Sequence, residues 1–241
     1  MATILLRTVV GLITRYSTLI ELTRGMKVAY LLRFDTVSEA WPAIMALFAN
    51  YPAGHKPHWI EVMTEDGQKT REVSNLMVEI KKPSESWPVK GSGWKLPALE
   101  EYYQNEILSS RNETGFEYTY GERLRAYAEH GAWCDQVQVI IDKLKANRTT
   151  RRAVACTWDP HMDNDTGFHP PCLMVADFKI REEALHAIYY FRSQDIGQGW
   201  PQNVYGLYRL QDYIASQVDA ELGTLTTISA SAHIYLNPGD E

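Results

Sequence analysis

The chain has 241 residues, 45% of them hydrophobic, which is enough for one sizeable core, and no low-complexity linker argues for two independent domains. A formal net charge of -6 and a pI near 5.7 exclude the electrostatic footprint of a polymeric nucleic-acid binder, so nucleotide recognition, if present, is local. Three cysteines, Cys134, Cys156 and Cys172, lack framework or zinc spacing and fit a reducing compartment, so a cytoplasmic protein without a metal is expected.

In chain order, the stretch from Ile4 to Leu22 is rich in Leu, Val and Ile, but Arg7 and Arg15 interrupt it. It falls short of the roughly 18 uncharged apolar residues of a membrane helix, and no membrane association is expected. Met26-Lys27-Val28-Ala29-Tyr30 opens like a first strand, so residues 1 to 25 read as a dispensable extension and 26 to 241 as one domain. Thr36 and Glu39 have capping-box spacing before a helix through Trp41, Ile44 and Phe48. Trp59 to Met63 and Asn75 to Ile80 read as strands of a hairpin about the turn Glu65-Asp66-Gly67-Gln68.

A loop from Pro83 to Gly93 precedes a helix over about Pro97 to Leu108, and a second helical stretch is expected around Gly121 to His130. Asp135 to Asn147 is the clearest amphipathic helix, with Val137, Ile140, Ile141 and Leu144 on one stripe. Strands are expected over Ala153 to Trp158, Leu173 to Ile180, Leu185 to Phe191 and Leu225 to Tyr235, with a helix over Gly206 to Val218. Strands and helices mix without regular βαβ alternation, which implies an α+β fold on a mixed, largely antiparallel sheet.

Cys172, alone, reads as a packing residue rather than a nucleophile, but Arg192 on the next strand could supply the cation that favours a thiolate. Arg151-Arg152, alone, reads as a solvated pair; with Arg192-Ser193 it offers guanidinium forks and a hydroxyl suited to a phosphate monoester. His233 and Tyr235 fall on one face of a strand, suiting either a sugar hydroxyl or, for the histidine, the core.

These residues together resemble the thymidylate synthases and related pyrimidine hydroxymethylases, through Asp135-Gln136, Arg151-Arg152, Pro171-Cys172, Arg192-Ser193-Gln194-Asp195, Gly199-Trp200-Pro201-Gln202-Asn203 and His233-Ile234-Tyr235. The compact length and Trp158-Asp159-Pro160 look like the archaeal-type branch. The resemblance implies that Cys172 adds to C6 of dUMP, which then takes a methyl group at C5 from 5,10-methylene-tetrahydrofolate or a related reduced pterin. It implies phosphate binding by Arg192, Ser193 and the Arg151-Arg152 of a homodimer partner, with Gln194 in the substrate site. Asn203 would read the uracil edge, and His233 and Tyr235 the ribose. Asp195 and Gly199 would face the pterin, and Tyr120 would join the proton-transfer network.

Departures accompany the likeness. The family's helix bearing a catalytic glutamate is not recognisable, and Glu101, with Glu100 behind it, stands in. Arg71 is the stand-in for the arginine of the amino-terminal phosphate loop, and the short stretch after His233-Ile234-Tyr235 suggests an open pterin site, or one for a different reduced pterin such as methanopterin. The alternatives to a dUMP methylase are a hydroxymethylase acting on dUMP, dCMP or CMP and a nucleotide-binding protein without turnover.

Overall fold

Burial alternates along a seven-stranded sheet in the computed structural model, which describes residues 29–51, 56–129, 132–164 and 169–236. The expected extension over residues 1 to 25 and the strand opening at Met26 lie outside the described residues. The first described strand, β1, is Tyr30–Phe34. Helix α1 (Val37–Met45) follows, its first turn held by Glu39 Oε2, which accepts from the N–H groups of Asp35 and Thr36 at 3.2 Å each. A short 3-10 turn, Ala46–Phe48, ends it.

Strands β2 (Ile60–Met63) and β3 (Lys69–Ile80) form the expected hairpin. Helix α2 (Leu96–Tyr102) runs on as a π-helical turn over Tyr103–Leu108, and α3 (Tyr120–Arg125) packs on that turn so closely that a Cβ at Gly121 would meet Ser109 O at 2.2 Å. The helical stretch expected to reach His130 stops at Arg125; Tyr127–Glu129 (β4) pairs antiparallel with Ala132–Cys134 (β5). Helix α4 (Gln136–Ala146) begins where Asp135 Oδ1 accepts from Gln138 N at 3.0 Å, and it buries the Val137, Ile140, Ile141 and Leu144 stripe.

The remaining strands are β6 (Val154–Cys156), β7 (Leu173–Arg181), β8 (Ala184–Asp195) and β9 (Glu221–Tyr235), with α5 (Gly199–Gln217) between the last two. Helix α5 starts a full two turns before the expected Gly206, since Pro201 sits in its first turn, where a missing N–H costs nothing. The strand order β1-β3-β9-β8-β7-β6, with β2 also on β3, contains four antiparallel pairings and two parallel ones, β1 with β3 and β8 with β9. The expected mixed, largely antiparallel α+β architecture is the one found.

One sheet face carries Val73, Leu76, Val78, Phe178, Tyr189 and Phe191 into the core, and α5 lies on it, with Tyr189 Oη donating to Leu207 O at 3.0 Å. The opposite face leaves Ile188 and Tyr190 of β8 exposed. Because β8 and β9 run parallel, their C-terminal ends arrive together, with Asp195 opposite His233, beside the start of β7 and the first turn of α5. Four chain segments thus converge at one end of the sheet. Among the described residues, no helix is long and apolar enough to cross a membrane.

Candidate active site

That convergence opens a cavity of about 1330 Å³, whose wall includes Glu101, Tyr120, Cys172, Ser193, Gln194, Asp195, Gly199, Asn203 and Tyr235. Cys172 immediately precedes β7, and its backbone carbonyl accepts from Arg192 N at 2.9 Å, which fixes the two residues side by side. The Arg192 guanidinium donates to Pro171 O at 3.0 Å and Pro170 O at 2.7 Å, and its Nη2 stands 4.0 Å from Cys172 Sγ. The two prolines thus supply carbonyls that hold the cation beside the sulfur. Burial nevertheless pushes the thiol above its ordinary value; Arg192 acts in the opposite direction and Asp195 adds to the rise.

Three tyrosines surround the thiol. Tyr120 Oη accepts from Leu173 N at 3.3 Å, Tyr118 lies against the backbone of Cys172 with its ring 5.9 Å from that of Tyr120, and Tyr102 lines the same cavity. Burial is the main reason that each of the three phenols sits well above its usual range. All three remain protonated near neutral pH and act as hydrogen-bond donors and acceptors rather than bases.

Asp195 Oδ1 accepts from Gly197 N at 2.8 Å and Gln198 N at 3.4 Å, a turn that leaves Oδ2 for a donor in the cavity. Gly199 sits against this carboxylate, where a Cβ would come within 3.4 Å of Asp195 Cβ. Asn203 is 9% exposed, one turn into α5, and its Nδ2 donates to Tyr102 Oη at 2.8 Å. Ser193 Oγ is 3.5 Å from His233 Nδ1, and the His233 ring meets that of Tyr235 edge to face at 5.2 Å. Burial lowers the His233 pKa, so the imidazole is neutral at neutral pH.

Other sequence-nominated residues lie outside the cavity or, for Glu101, at its rim. Arg71 is buried on β3, donating to Phe48 O at 2.8 Å and Asn50 Oδ1 at 2.5 Å with its guanidinium 4.2 Å from the centre of the Trp59 ring, so the fold already occupies its charge. Arg151 and Arg152 are exposed just before β6 and do not line the cavity of their own chain. Glu100 is engaged by Arg209, Tyr205 and Gln104. Glu101 is exposed on the cavity rim.

The acid that sequence reading passed over is Glu106. It lies in the π-helical turn, lines the cavity, and is half-buried, with burial raising its carboxyl pKa. Tyr102, Tyr118 and Trp94 were passed over as well, and all three line the same cavity. One signal was available: Leu99, Tyr103 and Ile107 form a buried stripe at helical spacing, so Tyr102 and Glu106, one position before each of the last two, share the neighbouring face. Among the described residues, no group of three or more His, Cys, Asp or Glu side chains is arranged to hold a metal ion.

Residues 86–241 match the family model described as thymidylate synthase. A protein of Methanococcoides burtonii described as "Putative thymidylate synthase" is 37% identical over 220 residues, covering 91% of this chain and 96% of that one. Proteins with the same description from Methanosarcina barkeri and Methanothermobacter marburgensis are 39% identical over 209 residues and 35% over 224, covering 87% and 86% of this chain and 91% and 93% of their own.

Proposed function

The chain belongs to the thymidylate synthase family, and from that membership we propose that it methylates dUMP to dTMP through a covalent bond between Cys172 Sγ and C6 of the base. The observation that carries this reading is the placement of Cys172 Sγ in the wall of one cavity with Asn203, Tyr120 and Glu106, and with the Arg192 guanidinium 4.0 Å from the sulfur. A thiolate, a base-reading amide, a proton-carrying acid and a cation are the groups that addition to a pyrimidine requires.

The Cys172 thiol gives its proton to water in the cavity and the sulfur donates an electron pair to C6, the C5–C6 π pair moves toward O4, and C5 becomes the nucleophile. Asn203 donates to O4 as charge gathers there, an interaction strengthened by exclusion of water. Glu106, whose carboxyl is raised by burial, carries the proton toward and away from O4, and the role expected of Glu101 passes to it. Tyr120, neutral and tied to Leu173 N, belongs to the path by which the C5 proton leaves. The last step expels Cys172 and regenerates the double bond.

The cavity volume exceeds what one drug-sized ligand occupies, roughly 300–1,000 Å³, and the Asp195 carboxylate and the Trp94 ring add a polar acceptor and an aromatic surface, so the residues fit a reduced pterin beside the nucleotide. Such a pterin supplies the one-carbon unit and, for a methyl product, the hydride. Asp195 Oδ2 would accept from its ring N–H groups, with Gly199 leaving that wall open.

Arg192 and Ser193 receive the phosphate, and His233 and Tyr235 the ribose. The exposed Ile188 and Tyr190 face of β8 suits a second copy, whose Arg151 and Arg152 reach across to the phosphate. The test is tritium release from 5-labelled dUMP and dCMP, with and without methylene-tetrahydrofolate, with mass analysis of the product. Release from dUMP, a methylated product and loss of exchange in Cys172→Ser are expected; exchange that survives this substitution overturns the mechanism.

A further inference from the structure

Asn203 is held by a chain of buried polar groups that reaches beyond the base site. Its Nδ2 donates to Tyr102 Oη at 2.8 Å and its Oδ1 accepts from Gln194 Nε2 at 3.5 Å, while Gln194 Oε1 accepts from Ser229 Oγ at 2.6 Å. Gln194 and Ser229 are 2% and 1% exposed. A carboxamide has two N–H protons and two principal lone pairs. With one of each engaged by Tyr102 and Gln194, Asn203 keeps one donor and one acceptor, adjacent, for a ligand. That pair complements O4 and N3–H of uracil; cytosine, with an amino group beside an unprotonated N3, needs the amide turned over.

We propose that Ser229, Gln194 and Tyr102 form a directional relay that sets which way the Asn203 amide faces, and are thereby positioning residues for uracil over cytosine. The proposal rests on the base contact assigned above to Asn203. The direction comes from the Ser229 end: 2.6 Å is an ordinary O–H···O separation and short for N–H···O. Gln194 therefore turns its oxygen to Ser229 and its amino group to Asn203. Turning Asn203 alone would set two N–H donors against each other at side chains that are 2% and 9% exposed, which costs the missing hydrogen bond. At the other end, Gly206 of α5 makes room for the phenol: a Cβ there would lie 2.9 Å from Tyr102 Cε1.

Gln194→Met removes the donor facing Asn203 Oδ1, and Ser229→Ala removes the group that orients Gln194. The measurement is the ratio of kcat/KM for tritium release from 5-labelled dUMP and dCMP, with Asn203→Asp as control. A drop of at least tenfold in the dUMP to dCMP ratio in Gln194→Met, and a smaller drop in Ser229→Ala, are expected, because a merely structural loss would slow both nucleotides alike. A ratio within twofold of wild type in both variants, while Asn203→Asp moves it, overturns the relay and leaves the base contact standing. A ratio unmoved in all three overturns the base contact as well, and a wild type inert toward both nucleotides overturns the proposed function with it.

Discussion

Arg192 Nη2 stands 4.0 Å from Cys172 Sγ, and the burial of that sulfur outweighs the charge beside it. The cation moderates the thiol rather than ionising it outright, so the resting enzyme holds Cys172 as S–H.

The first prediction concerns that balance. Iodoacetamide should alkylate Cys172 with a pH profile whose midpoint lies above that of an ordinary thiol, and Arg192→Gln should move it higher, since the favourable cation is gone. A midpoint at or below the ordinary thiol value in the wild type would contradict this. Exposed Cys134 and Cys156 are replaced by serine for the measurement.

Glu106→Gln should retain dUMP binding by calorimetry and lose about 10²–10⁴-fold in kcat, the range for removal of a general acid–base group. Glu101→Gln, at the exposed rim, should lose far less. The reverse order of the two losses would return the role to Glu101.

The loop that precedes the Cys172 segment is anchored by a buried ion pair. Arg123 Nη2 donates to Asp163 Oδ1 at 2.8 Å, and Asp163 Oδ2 accepts from Asp159 N at 2.6 Å. Asp163→Ala leaves a guanidinium with little solvent, and a loss of about 3–5 kcal/mol in urea unfolding is expected. A change typical of a surface pair, below ~1 kcal/mol, would show that the pair is solvated.

Mixing Cys172→Ser chains with Arg151→Ala/Arg152→Ala chains should restore turnover that neither variant has alone, because a mixed dimer holds one site with both an intact thiol and intact partner arginines. No recovery after denaturing and refolding the mixture would place those arginines outside the site.

Much of this arrangement was legible in the residues. The Val137, Ile140, Ile141 and Leu144 stripe, the β2–β3 hairpin and the Arg192 to Asn203 motif depend on local spacing, which a linear reading preserves. The β4–β5 ribbon was not, because Tyr127 to Glu129 continues a helical pattern and only pairing with Ala132 to Cys134 makes it a strand. Glu106 escaped for a different reason: its value comes from being half-buried opposite Cys172, across 66 positions of sequence, and from a backbone turn that no propensity announces. Arg71 was legible as a cation but not as one already stacked on Trp59.

The π-helical turn over Tyr103–Leu108 is geometrically a helix that has absorbed one residue too many. Everything after such a turn is rotated by about 100° relative to an uninterrupted α-helix. Glu106 lies inside that turn, so its aim depends on the local backbone as well as on its own chemistry. Excising a single neighbour such as Asn105, itself in the cavity wall, should wind the segment back toward regular helix and turn the Glu106 carboxyl away from the cavity.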